Sequence, residues 1–234
     1  MVNACKLDGH LKSYFKSYVM IYTKLRKKLK DAHDSIPELQ SIRFHRSISW
    51  IKAAEDHEKE VDIKLITLWI AFNSLYAIEN TKNESLNERD RFAVFIDKLN
   101  SQDTESRIYN LLWNTYSGAV RMLIENKYVY GPFWDAQRGL NKNWEKGFNQ
   151  SISDANNALA NMNVNYLLRI VLDRLYILRN QLIHGGATYK SKVNRSQVQD
   201  GCKILINLLP IMIEIMMENP KEDWGEIFYP PISS

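Results

Sequence analysis

Residues 61–78, VDIKLITLWIAFNSLYAI, carry the strongest helical pattern of the chain and decide its fold class. Leu65, Trp69 and Phe72 recur at steps of four and three, and Tyr76 follows four positions later. This spacing places the four side chains on one face of an α-helix. Three isoleucines widen the apolar face until it covers nearly the whole helix: Ile63, Ile66 and Ile70. Such a helix is expected at the centre of a helical bundle, because none of its faces suits water.

Two further helices are predicted downstream. Residues 163–184 carry a stripe of leucine and valine on one side. Gly185 and Gly186 are expected to end this helix, because glycine adopts the left-handed conformation found at helix C-termini. Residues 196–217 form the next apolar helix, in which Pro210 is expected to cause a kink by removing one backbone hydrogen bond.

The remaining segments have weaker patterns. Four more helices are predicted, over residues 11–30, 37–50, 88–99 (with Asn87 as its N-cap) and 105–126. The aromatic and polar segment 128–148 has no regular period and is interpreted as a loop or an inserted lid. The tail 220–234, which ends in FYPPISS, is predicted to be non-helical and to pack on the bundle or fray.

The predicted fold class is all-α. The chain of 234 residues contains only 9 glycines and 6 prolines, about half the usual share, and no pair of strands is recognisable. Three parts are expected: an N-terminal helical extension over residues 1–56, a helical bundle over residues 57–219 that contains the insert 128–148, and the tail.

The composition predicts a protein of the cytoplasm. The net charge is only +4, from 31 basic and 27 acidic residues, which by itself identifies no anionic partner. Cys5 and Cys202 stand alone, without the spacing of a zinc site or a disulfide framework. The N-terminus has no apolar stretch typical of a signal peptide. Residues 204–217 are too short to span a bilayer and are interrupted by Pro210 and Glu214.

Residues 178–186, LRNQLIHGG, are the one segment with a catalytic pattern. The five histidines of the chain lack metal-ligand spacing, so no metal and no cofactor are expected. Asn180 and His184 lie one helical turn apart on the same face, whereas Arg179 lies about 140° from His184 around the axis. A long arginine side chain can reach round the helix. Two copies of the helix across a two-fold axis would also bring two arginines and two histidines into one cleft.

This segment resembles the signature of the HEPN superfamily, in which arginine is followed by a polar residue, three further residues and histidine. Residues 69–76, WIAFNSLY, are similar to the upstream core helix of bacterial HEPN proteins of the abortive-infection and Apea-like families. The resemblance covers about residues 57–218. It implies a bundle of four to five core helices and a homodimer with facing motif clefts. Many active members are metal-independent endoribonucleases of defence, toxin–antitoxin or RNA-processing systems, whereas others only bind nucleotides or partner proteins.

The residue types of the motif suit cleavage of RNA. The 2′-hydroxyl of RNA is an internal nucleophile beside each phosphate, and a neutral His184 can accept its proton. Arg179 can bind the phosphate oxygens and stabilise the charge of the transition state. Asn180 can orient His184 or bind the phosphate. The predicted partners are therefore RNA, a second copy of the chain, and an antitoxin or other regulatory protein, with no membrane involved.

Each of these residues also has a purely structural interpretation. His184 before two glycines can simply complement the helix dipole, and Asn180 can be a solvated helix residue. Asn73, a polar residue on a very apolar helix, either supports the site or ties the core together by a hydrogen bond.

Basic and aromatic residues outside the motif are candidates for substrate binding. Lys27 and Lys28, within the run KLRKKLK, and Arg43 and Arg46 can bind RNA phosphates or belong to solvated surfaces. Four aromatic residues of the insert can stack on unpaired bases or pack the insert onto the bundle: Tyr128, Tyr130, Phe133 and Trp134.

The leading functional hypothesis is a HEPN-type endoribonuclease. One alternative is a non-catalytic HEPN-like module that binds a nucleotide or a partner protein. Another is a structural helical protein that dimerises through the apolar helix 204–217.

Overall fold

The computed structural model describes residues 20–76, 88–115, 117–140, 142–227 and 229–232. Within them the chain is all-helical and contains no strand, which confirms the predicted fold class. The α-helices are α1 Met20–Asp31, α2 Glu38–Asp56, α3 Val61–Tyr76, α4 Glu88–Gln102, α5 Arg107–Asn110, α6 Ser117–Ile124, α7 Gly131–Gln137, α8 Trp144–Ala160, α9 Val164–Ile183 and α10 Arg195–Glu218. None of these helices is both long and apolar enough to cross a lipid bilayer.

Helix α3 lies at the centre of the bundle, as its sequence predicts. It packs against α2, α4, α9 and α10, and its leucine and aromatic side chains are almost fully buried, whereas its three isoleucines are only partly buried. Its aromatic residues join rings of α4 and α9 in one cluster, with centroids 4.6–6.3 Å apart: Trp69, Phe72, Tyr76, Phe92, Phe95 and Tyr176. The leucine and aromatic face of α3 is thus enclosed by its neighbours, whereas the isoleucine face, which the sequence also predicts to be buried, is only partly covered.

Helices α3 and α9 run in opposite directions. Leu65 near the start of α3 and Leu175 in the second half of α9 both approach Gly201 of α10. Asp62, at the start of α3, binds Lys190 and Arg195, which follow the end of α9 in the chain. The first turn of α3 therefore lies beside the end of α9.

The N-terminal region shares the core of the main bundle. Phe44, Ile48 and Ile51 of α2 are buried in the same apolar cluster as α3. Helix α2 is longer than the predicted helix 37–50, because its apolar face continues along α3.

The segment 128–148, interpreted from the sequence as a loop or lid, contains α7 and the first turn of α8. Pro132 lies in the first turn of α7, where its missing N–H has no partner to lose, and Gly139 follows the helix with a φ of 78°. Helix α7 has only 7 residues, which is too short a stretch to show a helical period in the sequence. Helix α8 has no counterpart among the helices predicted from the sequence.

Two other expectations differ from the structure. The predicted helix 105–126 is broken into α5, a π-helical turn at Leu111–Thr115, and α6. The apolar stretch 204–217 is buried within the chain, because α10 packs against α3, α4 and α9, so it offers no dimer face.

The tail after residue 220 is non-helical where it is described, as predicted, and it packs on the bundle through Trp224 and Ile227. Four predicted features lie outside the described residues: the helical segment 11–19, residues 77–78 of the central helix, the N-cap Asn87 and the last two residues of the chain.

Candidate functional site

Helix α9 ends where the sequence predicts. The backbone N–H of His184 donates to the carbonyl of Asn180 at 3.0 Å and closes the last turn. Gly185 then adopts a φ of 70°, the left-handed conformation that favours glycine. The helix therefore ends at the one histidine of the motif, whose side chain is exposed to solvent.

The structure brings Arg179 and Asn180 together. The guanidinium Nη1 of Arg179 donates to Oδ1 of Asn180 at 2.7 Å. The Nε of Arg179 is buried and has no hydrogen-bond partner among the described residues. Neither motif side chain hydrogen-bonds the ring of His184 within the described part of the chain. One chain thus presents a paired Arg179 and Asn180 beside an open imidazole, which agrees with the angular separation of the residues on the helix.

Gln181 is a site residue that sequence reasoning missed. Its Nε2 donates to the backbone carbonyl of Tyr128 at 2.5 Å, and its Oε1 accepts from Nδ2 of Asn194 at 3.0 Å. Gly186 also lies close, since a Cβ there would be 3.2 Å from the carbonyl of Gln181. Gln181 joins the motif to the aromatic segment through Tyr128, and to the loop that precedes α10 through Asn194. No local sequence pattern predicts this role, because the two hydrogen-bond partners of Gln181 are 53 and 13 positions away in the chain.

The loop between α9 and α10 is anchored to the start of α3. The backbone N–H of Lys190 donates to Oδ2 of Asp62 at 2.8 Å, and Arg195 binds the same carboxylate. The hydroxyl of Tyr189 donates to the carboxylate of Glu60, and together with the ammonium of Lys190 it lowers the pKa of Glu60. The loop that follows His184 therefore has a defined position.

Asn73 lies far from the motif within one chain. It is eight residues beyond Leu65 on α3, whereas His184 is nine residues beyond Leu175 on α9, in the opposite direction. At 1.5 Å per residue, these counts and the shorter ones from the ring contact of Trp69 with Tyr176 place the two positions roughly 18–25 Å apart along the bundle. The Oδ1 of Asn73 is buried and has no hydrogen-bond partner among the described residues.

Arg43 is buried in the core and does not face solvent. Its guanidinium donates to the carbonyls of Trp224 at 2.6 Å and Gly225 at 2.5 Å. Burial lowers the pKa of Arg43 to about 10, against the opposing effect of Asp223. Its side chain ties the C-terminal tail to α2, so in this arrangement it reaches no phosphate at the surface.

Arg46, the second arginine of α2, is half-buried and donates to the carbonyl of Tyr229 at 2.7 Å.

The two lysines of α1 lie away from the motif. Lys27 is exposed, and Lys28 pairs with Glu214 of α10 at 2.6 Å. Glu214 is 19 residues beyond Arg195, the first residue of α10. It therefore lies about 28 Å along α10 from the end that adjoins the loop between α9 and α10.

No group of three or more His, Cys, Asp and Glu side chains in the described ranges is arranged to hold a metal ion. Comparisons of the chain with protein-family models, with curated proteins and with solved structures find no match.

Proposed function

We propose that the chain is a HEPN-type endoribonuclease that cleaves RNA without a metal ion, as a homodimer, in a defence or toxin–antitoxin role. The observation that carries the proposal is the end of α9. There an exposed His184 lies one turn after Asn180, and Asn180 holds the guanidinium of Arg179.

The residues have complementary tasks in this reaction. The imidazole of His184 accepts the proton of a 2′-hydroxyl, whose oxygen then attacks the adjacent phosphorus. The bond to the 5′-oxygen breaks, which leaves a 2′,3′-cyclic phosphate and a 5′-hydroxyl. Arg179 binds the phosphate oxygens through the N–H groups that Asn180 does not use, and it stabilises their growing charge. DNA is not a substrate, because it lacks the 2′-hydroxyl.

A second copy of the chain completes the site in this proposal. Arg179 and His184 point in directions about 140° apart on one helix, so a single chain does not aim both at one phosphate. Two copies related by a two-fold axis bring a second imidazole to the cleft, where it protonates the leaving 5′-oxygen. The support for an interface here is that Ile183, directly before His184, is an exposed apolar side chain.

A cleavage assay in EDTA tests the proposal. The wild type, Arg179→Ala and His184→Ala are incubated with bulk tRNA and with an unstructured RNA. Each variant is expected to lose at least about 100-fold in rate, the contribution typical of an acid–base or charge-stabilising group. The product ends should be a 2′,3′-cyclic phosphate and a 5′-hydroxyl, and a DNA strand of the same sequence should survive.

The matched control is His57→Ala. His57 is also an exposed histidine that ends a helix, because its backbone N–H donates to the carbonyl of Ala53 at the end of α2. It should cleave at the wild-type rate. Equal rates in the wild type and in both motif variants would overturn the catalytic assignment.

A non-catalytic module that binds a nucleotide or a partner protein is the second candidate. The observation in its favour is that the His184 ring has no hydrogen bond to Arg179 or Asn180 within the described residues, and the pair of Arg179 and Asn180 by itself suits binding of a phosphate without cleavage. Thermal stabilisation by nucleotides, lost in Arg179→Ala and accompanied by no cleavage of RNA, would select this alternative.

A further inference from the structure

The four aromatic residues that precede α8 divide into a packed pair and an exposed pair. Phe133 is buried, and the ring of Tyr130 lies 4.6 Å from the guanidinium carbon of the buried Arg174. Tyr128 and Trp134 remain 44% and 37% exposed. Tyr130 thus packs on the bundle and Phe133 is covered by the rings around it, whereas large parts of the Tyr128 and Trp134 rings remain open to solvent.

The exposed pair is held in place by one backbone carbonyl. The carbonyl of Tyr128 accepts from Nε1 of Trp134 at 2.8 Å and from Nε2 of Gln181 at 2.5 Å. The buried ring of Phe133 makes a T-shaped contact with each exposed ring, with centroids 5.4 Å from Tyr128 and 5.2 Å from Trp134. Both rings therefore have defined positions, so little conformational freedom is lost when a ligand binds to them.

This aromatic pair lies next to the motif. Gln181, which binds the carbonyl of Tyr128, directly follows Asn180 and precedes His184 by three residues on α9. Residues three and four positions apart on a helix are neighbours on its surface. The exposed rings are thus attached to the same helical turn as the candidate catalytic residues.

A positive charge accompanies the rings. The ammonium of Lys127 lies 5.4 Å from the centroid of Tyr128 and 5.7 Å from that of Phe133, and its residue is exposed. Exposed aromatic rings beside a cation are the combination that binds single-stranded nucleic acid, in which bases stack on the rings and the cation pairs with the phosphate.

We propose that Tyr128 and Trp134 form a stacking site for an unpaired base of RNA, and that Lys127 binds a neighbouring phosphate. The site makes single-stranded RNA the substrate class and places a phosphate of the bound strand beside His184, three residues after Gln181. The link to cleavage rests on the proposed function, whereas the binding site can be tested without it.

Binding of an uncleavable strand separates the two proposals. The probe is a fluorescent single strand of about 12 nucleotides with 2′-O-methyl groups, which offers no 2′-hydroxyl for attack. Its affinity is measured by fluorescence anisotropy at a fixed salt concentration, beside a duplex of the same sequence. Trp134→Leu and Tyr128→Leu are each expected to weaken binding of the single strand by about tenfold. Trp134→Phe and Tyr128→Phe should restore most of the affinity, and binding of the duplex should change little.

The matched control is Trp50→Leu. Trp50 lies on α2 and is 38% exposed, close to the exposure of Trp134. The Trp50→Leu substitution therefore removes the same ring from a similar environment elsewhere on the surface. It should bind the single strand as the wild type does. Thermal unfolding of every variant shows that the fold is retained.

Three results would overturn the stacking site. These are unchanged affinity in both leucine variants, equal losses in the leucine and phenylalanine variants, and conversion of a dimer to a monomer by the leucine substitutions. The last result would assign the rings to a protein interface. If the chain binds the uncleavable strand through the rings but cuts no RNA in EDTA, the stacking site is retained and the nuclease proposal is refuted. If RNA is cleaved at the wild-type rate in the leucine variants, the nuclease proposal is retained and the stacking site is refuted.

Discussion

Arg195 and Asp62 form a two-pronged ion pair between the start of α10 and the start of α3. Nη1 of Arg195 lies 2.8 Å from Oδ1 of Asp62, and Nη2 lies 3.2 Å from Oδ2. Asp62 is almost fully buried and also accepts the backbone N–H of Lys190. One buried carboxylate therefore anchors the loop that leaves the candidate catalytic histidine at two points, Lys190 and Arg195.

Asp62→Asn should destabilise the protein by about 3 kcal/mol, because it leaves the charge of Arg195 half-buried without its partner. Urea denaturation followed by tryptophan fluorescence measures the change. Glu60→Gln is the control, since Glu60 contacts the same loop through Tyr189 and Lys190 at an exposed position and should change stability far less. Equal losses of unfolding free energy in the two variants would contradict a larger contribution of the buried ion pair to stability.

Arg43→Met should also destabilise the protein by about 3 kcal/mol, because the carbonyls of Trp224 and Gly225 lose their donors. Arg46→Met, which removes a contact with the carbonyl of Tyr229 at a less buried position, should have a smaller effect. Both variants are compared by urea denaturation and by RNA binding. Weaker RNA binding with unchanged stability in Arg43→Met would instead restore Arg43 as a phosphate ligand.

Gly201→Ala should cost about 1–2 kcal/mol of stability. The new Cβ would lie 2.9 Å from Cδ2 of Leu175 and 3.3 Å from Cδ1 of Leu65, and the strain exceeds the gain in helix propensity. Gly118→Ala in α6 is the matched control, because no atom lies within 4 Å of its Cβ position. It should stabilise the protein by about 0.5–1 kcal/mol. Thermal and urea unfolding measure both variants, and stabilisation by Gly201→Ala would contradict the close approach of α3, α9 and α10.

Cys202 should make the protein less stable at alkaline pH. Burial raises the pKa of its thiol to about 12, so the thiolate is disfavoured in the folded state. With an unfolded pKa of about 8.5, the free energy of unfolding should fall by about 2 kcal/mol between neutral pH and pH 10 through this one group. Subtracting the pH profile of Cys202→Ala from that of the wild type isolates the contribution. Parallel profiles would contradict the raised pKa.

The motif helix shows how far local pattern extends. The stripe of α9 and the leucine and aromatic face of α3 follow from spacing of three and four along the chain, and both are buried as predicted. The end of α9 at Gly185 follows from the conformational freedom of glycine. The segment 128–148 has no visible period in the sequence, because α7 spans only 7 residues and follows a 3-10 turn at Lys127–Val129. Asn73 shares an apolar helix with the core, and only the antiparallel course of α3 and α9 shows that it lies at the other end of the bundle.

The sequence by itself determined the all-α fold, the central helix and the end of α9 at His184, because helical periodicity and glycine act over a few neighbouring residues. The tertiary structure alone decided that Arg43 is buried and that Gln181 connects the motif to Tyr128. The first contact joins residues that are 181 positions apart in the chain, and the second joins residues that are 53 positions apart. A polar side chain can be buried only where it finds hydrogen-bond partners, and local sequence spacing does not predict partners at such distances.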